Sequence, residues 1–168
     1  MRLTVGTSVS YPGHGVGRIV AREKGQSSGV NQDLVVIEFE DGLRVMLPIE
    51  RARTVLRPPM NESGLSVIQE ALRAGGVLSD EAWSKRVVQL QEKLRTGDPL
   101  ELAEIVRDGA RRERVVNAKG STAKLSPSER SLYARARELL SSEIGLVRGL
   151  DRTAANVWID EQLAEAPS

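Results

Sequence analysis

The spacing of apolar and polar positions changes character near Arg57-Pro58-Pro59-Met60-Asn61. Before that point, short runs rich in Val, Ile and Leu are broken by glycines, a β-type pattern. Residues 9–11, 17–22, 34–40 and 44–49 read as strands, each bounded by Gly, Pro, Asn or Asp. Asp41-Gly42 between the last two predicts a short hairpin, because a turn of the required twist needs the positive φ that glycine adopts freely. Four or five short strands in residues 1–57 predict a small, strongly curved sheet or SH3-like barrel. A unit of that size buries little core alone, so support from the rest of the chain is expected.

After the break the pattern is helical. Ser63 is placed to cap a helix with Leu65, Ile68 and Leu72 on one face, ending at Gly75-Gly76. Ser79-Asp80-Glu81 reads as the opening of a second helix to about residue 95, with acids at the positive end of the helix dipole and Gly97 as its stop. Asp98-Pro99-Leu100-Glu101 combines an N-cap, a first-turn proline and an acid three positions on, and predicts a helix over 99–116. Residues 117–124 have the composition of an exposed loop. Ser126-Pro127-Ser128-Glu129 repeats the cap, with Leu132, Ala136, Leu139, Leu140, Ile144 and Val147 following at helical spacing. A last helix over 154–163 presents Val157, Trp158 and Leu163. Five helices joined by short connections make a compact bundle.

Composition narrows the chemistry. The 168 residues contain no cysteine and one histidine, which excludes disulfide frameworks, zinc ribbons, thiol nucleophiles and any mechanism needing two imidazoles. Five aromatic residues (Tyr11, Phe39, Trp83, Tyr133, Trp158) cannot build a broad base-stacking platform. The longest apolar run, Leu34-Val35-Val36-Ile37, is far too short to span a membrane, and Met1-Arg2-Leu3-Thr4-Val5-Gly6 lacks the apolar stretch of a signal peptide. A cytoplasmic protein without membrane contact is expected.

Gly13-His14-Gly15-Val16-Gly17 has the glycines of a phosphate loop but not its context. A dinucleotide fingerprint lies between a strand and a helix, whereas β-type residues follow here, so a tight turn is the better reading. Lys119-Gly120-Ser121-Thr122 carries Walker-type letters in the wrong order. His14 has no nucleophile motif beside it and reads as a structural or surface residue; a hydrolase built on it has no substrate to suggest. Glu101 with Glu104, and Asp160 with Glu161, are carboxylates of the kind that solvated helix faces carry. No metal site, cofactor or enzymatic activity is expected.

Charge is informative locally. The net charge is +1, yet residues 107–137 hold nine basic side chains (Arg107, Arg111, Arg112, Arg114, Lys119, Lys124, Arg130, Arg135, Arg137) against three acids (Asp108, Glu113, Glu129). Such a surplus is either a solvated helix face or a face that tracks phosphates by displacing counterions. Lys85 and Arg86 form a second basic stretch beside Trp83. Trp158, between Val157 and Ile159, reads as core. Trp83 reads as an edge residue that either packs against a neighbouring helix or wedges into a nucleic-acid groove.

These residues carry a resemblance. Val5-Gly6 with Val9-Ser10-Tyr11-Pro12-Gly13-His14-Gly15-Val16-Gly17, and later Val45-Met46-Leu47-Pro48-Ile49-Glu50, resemble the opening signature of the CarD/CdnL family of bacterial transcription regulators. Trp83-Ser84-Lys85-Arg86, Leu94-Arg95-Thr96-Gly97-Asp98, Ala103-Glu104-Ile105-Val106-Arg107-Asp108, Leu125-Ser126-Pro127-Ser128-Glu129-Arg130 and Ala134-Arg135-Ala136-Arg137-Glu138-Leu139-Leu140 resemble its helical domain. The chain departs from the family pattern at Met46, where a basic residue is usual, at Lys24-Gly25-Gln26-Ser27-Ser28-Gly29, at Val87-Val88, and in a longer 111–124 stretch.

The resemblance implies an α+β protein: a small Tudor/SH3-like β-barrel over 1–57 that interacts with RNA polymerase, a linker over 58–62, and a compact five-helix DNA-binding domain over 63–168. It implies docking on the polymerase β subunit through Arg44, Met46 and Lys24. It further implies contact with promoter DNA at the upstream edge of the −10 bubble, with Trp83 as a minor-groove wedge that stabilises the open complex. Lys85, Arg86, Arg111, Arg112, Lys124 and Arg130 are the expected DNA contacts, largely independent of sequence, and a monomer is expected. The alternative is a divergent paralogue that acts as a protein–protein adaptor without touching promoter DNA.

Overall fold

A computed structural model of the protein describes residues 1–120 and 124–167. The chain divides into two compact units, Met1–Pro59 and Met60–Ser168.

The first unit is one curled antiparallel sheet. Strands β1 (Ser8–Tyr11), β2 (Gly15–Ser27), β3 (Val30–Phe39) and β4 (Arg44–Pro48) lie side by side in sequence order. The β1–β2 connection is the tight turn expected of the glycine-rich run: His14 N–H donates to Tyr11 O at 2.8 Å, and Gly13 and Gly15 take positive φ. His14 stacks on Tyr11, ring centres 4.5 Å apart, with Phe39 5.9 Å from the imidazole. The β3–β4 turn at Asp41-Gly42 is also as expected, with Gly42 at φ 84° and the Leu43 N–H donating to Asp41 Oδ1 at 3.0 Å.

Two features of this unit differ from the expectation. β2 extends to Ser27, because Ser28 (φ 53°) and Gly29 (φ 78°) form a second two-residue hairpin turn that lets 23–27 pair with 30–34. The chain also leaves the sheet at Pro48 to form a short helix, α1 (Ile49–Val55), where the strand reading continued through Ile49. That helix buries Ala52 against the concave face. Leu3, Val9, Ile19, Val35, Ile37, Phe39, Leu47 and Leu56 complete the core. Ser10 and Arg57 exchange backbone hydrogen bonds at 2.8 and 3.1 Å, so the residue before Pro58 is paired to β1.

The second unit is a bundle of α2 (Glu62–Arg73), α3 (Trp83–Thr96), α4 (Pro99–Ala118), α5 (Pro127–Arg148) and α6 (Arg152–Ala164). One core joins them, with Leu65, Ile68 and Leu72 from α2, Leu94 from α3, Leu102, Ile105 and Val106 from α4, Leu139, Leu140 and Ile144 from α5, and Trp158, Ile159 and Leu163 from α6. Trp158 is core, as expected, whereas Val157 is 51% exposed. No helix among the described residues is long and apolar enough to cross a membrane.

The helix starts follow the caps only where side chains reach the backbone. Asp98 accepts from the N–H groups of Leu100 and Glu101 at 2.9 and 3.2 Å, and Ser126 accepts from that of Glu129 at 3.2 Å. For α2 the cap is Asn61, which accepts from Gly64 N–H at 3.0 Å, rather than Ser63; the helix starts two residues earlier and ends before Gly75. α3 begins at Trp83, later than Ser79 suggested. The Ser79 hydroxyl accepts from Glu81 N–H at 3.2 Å in a local turn, and Ala82, without a capping side chain, precedes the helix. Of the loop expected over 117–124, Asn117 and Ala118 belong to α4, while 121–123, including Ser121 and Thr122, lie outside the described residues.

Candidate nucleic-acid interface

Trp83 occupies the first residue of α3 and is half-buried. Over its ring, 5.2 Å from the centroid, sits the guanidinium of Arg86 one turn further along, a cation–π arrangement. Lys85, two positions on, is exposed, and at that spacing it leaves the helix on a different side from the indole. The indole therefore stands at the start of a helix with one flank covered by a cation.

Arg86 itself is turned inward. Its Nη1 donates to Glu129 Oε1 at 2.8 Å, with side-chain exposures of only 14% and 8%, and its Nε donates to Glu81 O at 3.1 Å. The same carboxylate oxygen accepts from the Tyr133 hydroxyl at 3.0 Å. Burial, followed by the hydrogen bond to Glu129, pushes the Tyr133 phenol up to about 12, against the smaller opposing influence of Arg112 and Arg86. A charged pair this buried holds its geometry because either charge alone would be costly in that environment.

Tyr133 in turn fits against α4 because Gly109 has no side chain. A Cβ there would stand 2.6 Å from the phenol ring. Val106, Gly109, Ala110, Leu125, Arg130 and Tyr133 border a groove of about 250 Å³ between α4 and α5.

The other expected basic contacts separate into two groups. Arg111 donates from Nη1 to Gly76 O at 3.0 Å and from Nη2 to Ala74 O, and Arg112 donates from Nη2 to Ser79 O. Both are half-buried and fasten the α2–α3 connection through its carbonyls. Lys124 and Arg130 are exposed, as are Arg114 and Lys119. Arg107 pairs with Asp108 at 2.9 Å, and Arg137 binds Asp160 at 2.5 Å and Asn156 Oδ1 at 2.8 Å. Much of the surplus counted along 107–137 is thus spent inside the bundle.

In the first unit, strand register places Arg44 and Met46 on the convex face of the edge strand β4, opposite Glu38 and Val36. Arg44 Nε lies 2.6 Å from Glu38 Oε2, and Met46 is 53% exposed. Lys24, opposite Asp33, alternates in step with Arg22 and Val35 and so belongs to the other face of the sheet. The three residues expected to share one partner surface do not share one sheet face.

Glu129 and Tyr133 were absent from the expected site. Their spacing of four residues on one helix is a visible signal for contact with each other. Nothing local links them to Arg86, 43 and 47 positions away in the chain.

A curled sheet with an open edge strand, followed by a helical unit that presents a propped tryptophan among basic side chains, is a two-part α+β architecture. Residues 3–60 match the family model of the CarD-like/TRCF RID domain, and residues 67–160, more than half of the chain, match that of the CarD C-terminal domain. The protein belongs to the CarD family of transcription regulators. It is 29% identical over 150 residues, 87% of this chain and 92% of the relative, to the Bacillus subtilis (strain 168) protein named "Putative transcription factor YdeB".

Proposed function

We propose that the protein binds the RNA polymerase β subunit through its first unit and stabilises the open promoter complex through its second, with Trp83 wedged into the minor groove at the upstream edge of the −10 bubble. The observation that carries this reading is the placement of Trp83 at a helix start against the Arg86 guanidinium, with Lys85 exposed in the same turn. An apolar ring inserted at a partly unstacked step favours the open state over the closed one, and that differential affinity is all a ligand has with which to shift the balance. Lys85, Lys124 and Arg130 supply attachment to phosphates without reading sequence.

Polymerase docking is supported by β4. It is an edge strand, carrying the exposed side chains of Arg44 and Met46, and an edge offers its backbone to an added strand of a partner. Docking raises the effective concentration of the helical unit at the promoter, so a modest basic surface suffices.

Trp83→Ala is expected to preserve polymerase binding and shorten the open-complex lifetime; an unchanged lifetime sinks the wedge. Arg44→Glu in the full chain is expected to weaken capture of polymerase. The adaptor reading draws on the internal use of Arg107, Arg111, Arg112 and Arg137, which reduces the charge available to DNA. It predicts no salt-dependent association with forked promoter DNA in the presence of polymerase.

A further inference from the structure

The end of α3 that carries Trp83 is fastened differently from the other. Leu94, the one residue of α3 that is buried, lies in its last turn, and there Lys93 pairs with Glu104 at 3.6 Å and Thr96 Oγ1 donates to Glu101 Oε2 at 2.9 Å. At the first turn there is no capping side chain and no acidic residue. Val87 and Leu90 are only half-buried. What joins this end to the bundle by directed bonds is Arg86, through Glu129 on α5, and the same guanidinium lies over the indole.

We propose that Arg86 is a positioning residue for Trp83: it latches the start of α3 to Glu129 and fixes the orientation of the indole, and it does not serve as a phosphate contact. The inference rests on the wedge reading for its functional consequence, but not for its structural content. A planar guanidinium can bond a carboxylate along its edge while offering its face to a ring, which an ammonium cannot do. Turning Arg86 out towards a phosphate would leave Glu129 buried without its cation, so the exposed Lys85 is the better placed of the two for DNA. Tyr133, donating to the same oxygen, holds the carboxylate in position.

The test uses the full-length protein with Glu129→Gln, which is isosteric, and Arg86→Gln, each checked for retained helicity. In the free protein, acrylamide quenching of Trp83 fluorescence, with Trp83→Ala supplying the Trp158 background, is expected to rise in both variants. With polymerase and forked promoter DNA, both are expected to shorten the open-complex lifetime towards that of Trp83→Ala while leaving the salt dependence of association unchanged. Glu129→Gln is the sharper arm, because removing a negative charge from a DNA-binding unit would strengthen binding if charge alone mattered. Unchanged quenching in both variants overturns the latch. So does a fall of about 0.9 in the log–log salt slope for Arg86→Gln, the signature of one lost phosphate contact. If Trp83→Ala itself leaves the lifetime unaltered, the wedge fails, and the quenching in free protein still decides the latch.

Discussion

Helices α3 and α5 meet at the Arg86–Glu129 pair, yet they begin by opposite means. α5 starts where its own sequence dictates: Ser126 caps, Pro127 occupies the first turn, and the Glu129 N–H is satisfied by the serine hydroxyl. α3 starts at Trp83 after an alanine that offers no cap, and it is held by a carboxylate from α5. The first start is local and independent of the remainder of the bundle. The second draws on a charged partner from another helix, which makes the Trp83 end of α3 sensitive to changes elsewhere.

The largest effect expected from this difference comes from Glu129→Ala. It strands a buried guanidinium, and breaking a buried pair from one side typically costs about 3–5 kcal/mol. Urea unfolding followed by far-UV circular dichroism reads the loss; a cost of only about 0.5 kcal/mol, the range of exposed pairs, would show that solvent already reaches the bridge. Next is Gly109→Ala. The added methyl collides with the Tyr133 ring that supports Glu129, and overpacking of this kind costs about 1–3 kcal/mol. A thermal melt unchanged by that substitution would mean the ring shifts freely.

The two helix starts can then be compared directly. Ser126→Ala removes a working N-cap and is expected to cost about 1 kcal/mol, whereas Ser79→Ala, at the place where the sequence proposes a cap for α3, is expected to stay within about 0.5 kcal/mol. Equal losses would restore Ser79 as a true helix signal. The smallest effect is on pH dependence. The Tyr133 hydroxyl has its ordinary value of 10.0 in the unfolded chain and about 12 in the fold. Between these values the unfolded state releases the proton first, so stability is whole below pH 10 and falls as pH rises towards 12. Tyr133→Phe should flatten that alkaline slope, read from urea unfolding repeated across that pH range.

What could be read from the chain follows the same division. The caps at Asp98 and Ser126, the glycine stop at Gly97 and the Asp41-Gly42 hairpin are all local devices, and each is where the sequence puts it. The division of apolar positions separated the curled sheet from the helical bundle for the same reason. Ser79 misled because a hydroxyl that closes a turn and one that opens a helix occupy the same letters. The extension of β2 was missed because Ser28 takes a positive φ that its residue type rarely adopts. In the candidate site, Trp83 and Lys85 were visible as neighbours. The partition of arginines into inward and outward ones was not, since Arg111 and Arg112 find carbonyls more than thirty positions upstream.

The stacking of His14 on Tyr11 and Phe39 also bears on how the protein can be observed. Both tryptophans lie in the second unit and the lone imidazole lies in the first. Ring currents from Tyr11 and Phe39 should displace the His14 proton resonances from their usual frequencies, giving the sheet a magnetic signature, while indole emission, excited selectively over tyrosine, reports on the bundle alone. Each half thus carries a separate label without chemical modification, and the unfolding of the two units can be followed on two channels at once.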